Sequence, residues 1–153
     1  MARAIVSGRA FLLAGGCLST GAAVLHIAII FGGGDWYRFF GAGEQMAALA
    51  ESGSMYPTVV TLVVAAVLLM WALYGFAGAG IAPRPPLVRW VLLVVATIYL
   101  ARGVGGLILP WLVTHPVLAQ NSLSFWFVSS GVCLIFGLCY LLGILQSWQR
   151  LRH

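Results

Sequence analysis

The chain has 153 residues, of which 62% are hydrophobic and 7% charged, with 8 basic and 3 acidic side chains and a formal net charge of +5. Water-soluble domains carry about 25% charged residues, so this chain cannot cover a solvated globule and has the composition of a membrane protein. The scattered arginines do not form the basic face of a nucleic-acid binder, and the absence of lysine excludes lysine Schiff-base chemistry and a Walker-type phosphate loop.

Four apolar runs succeed one another: roughly Ala10 to Phe31, Thr58 to Ala79, Leu87 to Leu109 and Phe125 to Leu145. Each reaches the ~20 residues that a helix needs to cross a hydrocarbon core. The runs are continuous, unlike the alternating segments of a membrane β-barrel. The first exceeds the 7–15 residues of a signal-peptide core and contains His26, so a permanent helix is expected there. The expected fold is therefore all-α: one transmembrane domain over residues 1–153, built as a four-helix bundle.

Between the first two runs, Gly32-Gly33-Gly34 breaks the helix and Asp35 suits the N-cap of the next segment. Trp36, Phe39, Phe40, Met46, Ala47 and Ala50 then recur near helical spacing, which predicts an amphipathic segment over 35–51 lying in the interfacial plane. Gly41 and Gly43 favour two short pieces over one continuous helix. Pro57 fits the first turn of the second helix, and the connection Ile81-Ala82-Pro83-Arg84-Pro85-Pro86 is short enough to make the second and third helices antiparallel neighbours. Pro110 is expected to end the third.

Six arginines (Arg3, Arg9, Arg84, Arg89, Arg150 and Arg152) fall on one side of this arrangement, together with both termini. By the positive-inside rule that side is cytoplasmic, and the 32–56 and 110–124 loops face outward. Small residues such as Gly75, Gly78, Gly103, Gly106, Ser130, Cys133 and Gly137 mark close helix contacts. Trp90, Trp111, Trp126, Trp148 and Tyr56 mark the interfaces.

Arg102, inside the third run with Tyr99 one turn before it, is the most informative polar residue. An arginine in a bilayer costs ~2.5–3.5 kcal/mol on insertion scales and needs a partner. An inward-facing, paired side chain is the favoured expectation, and snorkelling along Gly106 to the outer headgroups is the alternative. His26 shares a stripe with Gly15, Ser19 and Ala22 and is expected to point inward at a similar depth. With Asp35, Arg38, Glu44, Glu51 and His115, these residues put nearly all ionisable groups other than the cytoplasmic arginines in the outer half.

That asymmetry suggests an outward-facing polar pocket. Its ligand candidates are Arg102, His26, Tyr99, Asp35, Arg38, Glu44 and His115, and its ligand would be an anionic or amphipathic small molecule that is bound or translocated. A membrane enzyme acting on a lipid, isoprenoid or other apolar substrate is an alternative, with His26 or an outer carboxylate such as Asp35 or Glu44 as acid or base. An accessory subunit of a membrane complex is another. No cofactor and no metal are expected: haem would need two facing histidines, no zinc-binding spacing is present, and Cys17, Cys133 and Cys139 form no CxxC pair. The expected partners are the lipid bilayer, the small molecule and further copies of the chain in a homo-oligomer.

The stretch from Trp36 to Glu44, Tyr56-Pro57, and the run Leu73 to Gly80 together resemble an uncharacterised family of small four-helix bacterial inner-membrane proteins. The resemblance implies a bacterial inner membrane and carries no activity.

Overall fold

The computed structural model describes residues 2–112 and 121–152, with side chains for 7–112 and 121–151. Among these residues the chain is helical, and four of its helices are long and apolar enough to cross a membrane. Helix α1 runs Ala2–Phe39, α2 Glu44–Glu51, α3 Tyr56–Ala79, α4 Val88–Leu112 and α5 Leu123–Ser147, with a 3₁₀ turn at Arg150–Arg152.

Several ends differ from expectation, for local reasons. Helix α1 begins well before Ala10 and rises about 46 Å to Gly32 at ~1.5 Å per residue. Helical hydrogen bonding continues through the arginine-bearing turns that precede the apolar run. At Gly33 the backbone turns to φ 65°, ψ −155°, a conformation open essentially to glycine. Helix resumes over 34–39, so Asp35 lies within a turn and is not an N-cap. Pro110 does not end α4, which continues to Leu112. A proline two residues from the end removes a single amide donor and leaves little helix beyond it to disturb.

The other boundaries have plain causes. Pro57 occupies the first turn of α3. At its far end Gly80 adopts φ 80°, and the amides of Gly80 and Ile81 return to Ala77 and Phe76 in a Schellman closure. The Ser122 side chain accepts from the Phe125 amide at 3.2 Å and caps α5.

Packing centres on α1 and α5. Helix α1 lies along α3 and α5, and α4 lies along α5, whereas α3 and α4 touch little despite their short connection. Glycines set the spacing. A Cβ at Gly75 would meet the backbone of Gly16 and Leu12 at 3.2 Å, so α1 and α3 run nearly backbone to backbone. Across α4 and α5, Leu134 fills the space over Gly103 and Leu100 fills that over Gly137.

Only 28–33% of the residues in each apolar window are buried, and the remaining surface is rich in exposed Val, Leu, Ile and Phe. Apolar residues on the outside as well as the inside are what a lipid-solvated helix requires.

Candidate functional site

The interior holds a polar chain that joins all four long helices. The Tyr140 hydroxyl donates to the Trp71 carbonyl at 3.1 Å. Its one proton is then spent, so the Ser19 hydroxyl donates to Tyr140 at 2.9 Å and Tyr99 donates to Ser19 at 3.1 Å. The tyrosine rings stack at 6.0 Å, and Trp71 meets Tyr99 edge-on at 5.1 Å. Tyr99 is 7% exposed and belongs to this interior network, which no sequence spacing announces because Ser19 and Tyr140 are 121 residues apart. A hydrogen-bonded chain that runs through four helices to a backbone carbonyl fixes their positions relative to one another.

At the end of the molecule formed by residues 34–55, which we call the cap, all three carboxylate side chains of the chain converge on Arg38. Arg38 Nε and Nη2 donate to the two oxygens of Glu44, each at 2.8 Å, in a bidentate pair. Nη1 donates to Glu51 Oε1 at 2.5 Å, Nη2 to Glu51 Oε2 at 3.1 Å, and Nη1 also to Asp35 at 3.4 Å. Glu44 and Glu51 stand seven residues apart on one face of α2, and Arg38 spans them. Its hydrogen bonds hold both carboxyls below the usual carboxylate range.

Beneath these charges Tyr37 is buried, and its hydroxyl meets Thr61 Oγ1 at 3.1 Å. Ala47 is buried with Tyr37 and Ile29, and Phe40, Met46 and Ala50 pack around them. The cap is thus two short helices folded back on the body, with Trp36 and Phe39 left exposed. Asn121 donates to the Gly41 carbonyl at 3.3 Å and ties the cap to the start of α5. Arg38, Gly43, Glu44 and Asn121 line an open recess of about 350 Å³.

Arg102 stands apart from this cluster. Its side chain is exposed and not turned inward, and its guanidinium lies 5.1 Å from the centre of the Trp126 ring. A Cβ at Gly106 would collide with both Arg102 Nη1 and Ser130 Oγ, so the guanidinium runs along the Gly106 notch toward the Leu112 end of α4. That is the snorkelling direction. Just beyond, Leu107, Trp111, Leu123, Trp126 and Phe127 form an apolar, aromatic groove between α4 and α5. Asp35, Glu44 and Glu51 are all engaged at the cap, so none of the chain's acidic side chains neutralises Arg102.

His26 is half-buried, and its Nδ1 donates to the Ala22 carbonyl of its own helix at 2.8 Å. None of the described contacts joins it to Arg102 or to the cap. His115 lies outside the described residues.

The opposite end carries arginines with different work. Arg150 donates to the carbonyls of Gly78 at 2.6 Å and Ala79 at 3.4 Å, closing α3. Burial and the neighbouring Arg84 and Arg9 charges lower its pKa. Arg89 lies 4.8 Å from the Trp90 ring and 5.3 Å from the Trp148 ring.

Of the expected site residues, the structure gathers Asp35, Arg38 and Glu44, adds Glu51, and separates Arg102, His26 and Tyr99 from them. Among the described residues no three His, Cys, Asp or Glu side chains are grouped as metal ligands. No protein-family model, curated protein or solved structure matches this chain.

Proposed function

We propose that the protein is a multi-pass protein of a bacterial inner membrane, with both termini cytoplasmic, that binds an anionic amphipathic molecule at Arg102 from the outer leaflet. The cytoplasmic placement of the termini rests on the six arginines at their end of the chain, and the bacterial membrane on the resemblance to small four-helix inner-membrane proteins.

The observation that carries the binding function is a charge count. Arg102 sits about 15 Å before the end of α4, at ~1.5 Å per residue over ten residues, and every acidic side chain of the protein is already bound to Arg38. A guanidinium in a bilayer needs a counter-charge, so this one comes from another molecule. The exposed Trp111 and Phe127 beside it suit the apolar part of that molecule, and the planar fork suits a phosphate or carboxylate. Arg38, with its donors taken, is not an anion receptor.

The same geometry weakens the enzyme alternative. Glu44 is locked to Arg38, and His26 is bonded within its own helix, so neither stands ready as an acid or base beside Arg102.

Thermal unfolding of the delipidated protein tests the reading. Anionic phospholipid raises the wild-type midpoint and leaves that of Arg102→Ala unmoved, while a zwitterionic lipid moves both alike. Equal stabilisation of both proteins by the anionic lipid would remove Arg102 as the contact. A second membrane protein co-purifying at fixed stoichiometry would point instead to an accessory subunit whose partner supplies the counter-charge.

A further inference from the structure

We infer that Ser130 is the second donor of the Arg102 site and that the group it receives is the singly charged phosphodiester of a lipid. This inference rests on the binding function proposed above and specifies its ligand.

Ser130 is fully buried in α5, and its hydroxyl has no hydrogen-bond partner among the described residues. A helical serine ordinarily discharges its proton onto the carbonyl four residues back. Here that carbonyl, of Trp126, accepts instead from Ser129 at 3.3 Å. The free hydroxyl faces the Gly106 notch, where Arg102 Nη1 also lies, since a side chain at Gly106 would strike both. Two kinds of donor, one charged and one neutral, therefore lie together against Gly106 where α4 meets α5. An oxyanion there satisfies the guanidinium and the orphaned hydroxyl together.

The charge of the ligand is set by its surroundings. Among the described residues Arg102 is the one cation at the notch, and the cap at the same end carries three carboxylates on one guanidinium. One negative charge is balanced there and a second would be repelled, so a phosphodiester fits better than a phosphomonoester dianion. The route of entry narrows the class further. Trp111 is 66% and Phe127 51% exposed at the rim of the groove, so the site opens sideways onto the apolar surface. A molecule arriving by that route brings hydrocarbon with its head group, as a phospholipid does and a free phosphate does not.

The test uses the full chain in detergent, with native mass spectra recorded during titration with phosphatidylglycerol, palmitate or inorganic phosphate. Wild type is expected to hold one phosphatidylglycerol per chain, and Ser130→Ala to hold it about tenfold more weakly, the usual value of one hydrogen bond to a charged group. Ser130→Ala should also unfold at an equal or higher temperature when lipid-free, because it deletes an unpaired buried hydroxyl. That opposite sign separates a ligand contact from a packing role.

Unaltered lipid affinity in Ser130→Ala, with affinity lost in Arg102→Ala, overturns the role of Ser130 and leaves the Arg102 site standing. Affinity retained in both variants overturns both. Palmitate displacing phosphatidylglycerol at equal concentration would make the site one for carboxylates. Inorganic phosphate doing so would make it one for the free ion.

Discussion

Three carboxylates on one guanidinium leave two negative charges uncompensated at the cap, yet each acid is individually stabilised by Arg38. Because the folded state holds Glu44 and Glu51 below the ordinary value, their contribution is present above the unfolded carboxylate pKa of about 4.3. It is lost as the pH falls through their folded values. A nitroxide at Gln45→Cys, with the native cysteines replaced, should therefore show an immobile spectrum from pH 8 to 5 and gain mobility only at pH below the ordinary carboxylate value. Arg38→Gln should be mobile throughout, and a wild-type spectrum already mobile at pH 6 would contradict the assignment. In the interior, Ser19→Ala breaks two bonds of the tyrosine chain at once. Its expected cost is about 1 kcal/mol, since side-chain hydrogen bonds inside membrane proteins average ~0.6 and reach ~1.7; thermal unfolding in detergent measures it, and a neutral result would make the chain incidental.

At the scale of elements, glycine decides two things. Gly33, at φ 65° and ψ −155°, lets the cap leave the axis of α1. Alanine there should cost about 1–3 kcal/mol of strain, or else straighten α1 and pull Arg38 from Glu51, which the Gln45 label would register. Gly75 sets the α1–α3 distance, so Gly75→Leu should cost about 1–3 kcal/mol by overpacking or force the helices apart. A midpoint equal to wild type would deny that contact.

The spans were legible in the sequence, because an apolar run of ~20 residues has few other uses. The small-residue contacts at Gly75, Gly103 and Gly137 were legible for a similar reason. What composition does not carry is rotation about the helix axis. When a helix is apolar on all sides, no stripe says which face is inward, and Arg102 was accordingly expected inside but lies on the surface. Periodicity also picked out Trp36 and Phe39 of the cap and passed over Tyr37, the residue that is buried. The convergence on Arg38 had one usable signal: a chain with three acids, two of them seven residues apart, beside one arginine.

On the scale of the whole molecule, charge is segregated. Arg84, Arg89 and Arg150 surround one end, and every acidic side chain lies at the other. In the orientation proposed, the cap faces outward, so a membrane-impermeant thiol reagent should label Gln45→Cys in intact cells and leave Gln149→Cys unlabelled until the membrane is opened. Between those ends Arg102 is the charge that the protein itself does not answer, and the functional account depends on what does. The most direct measurement is a native mass spectrum of wild type and Arg102→Ala, gently extracted with no lipid added. The account predicts one anionic amphiphile of defined mass per wild-type chain, absent from the variant, and the same spectra give the number of chains in the assembly. Bare wild-type protein, or the same ligand retained by Arg102→Ala, would contradict it.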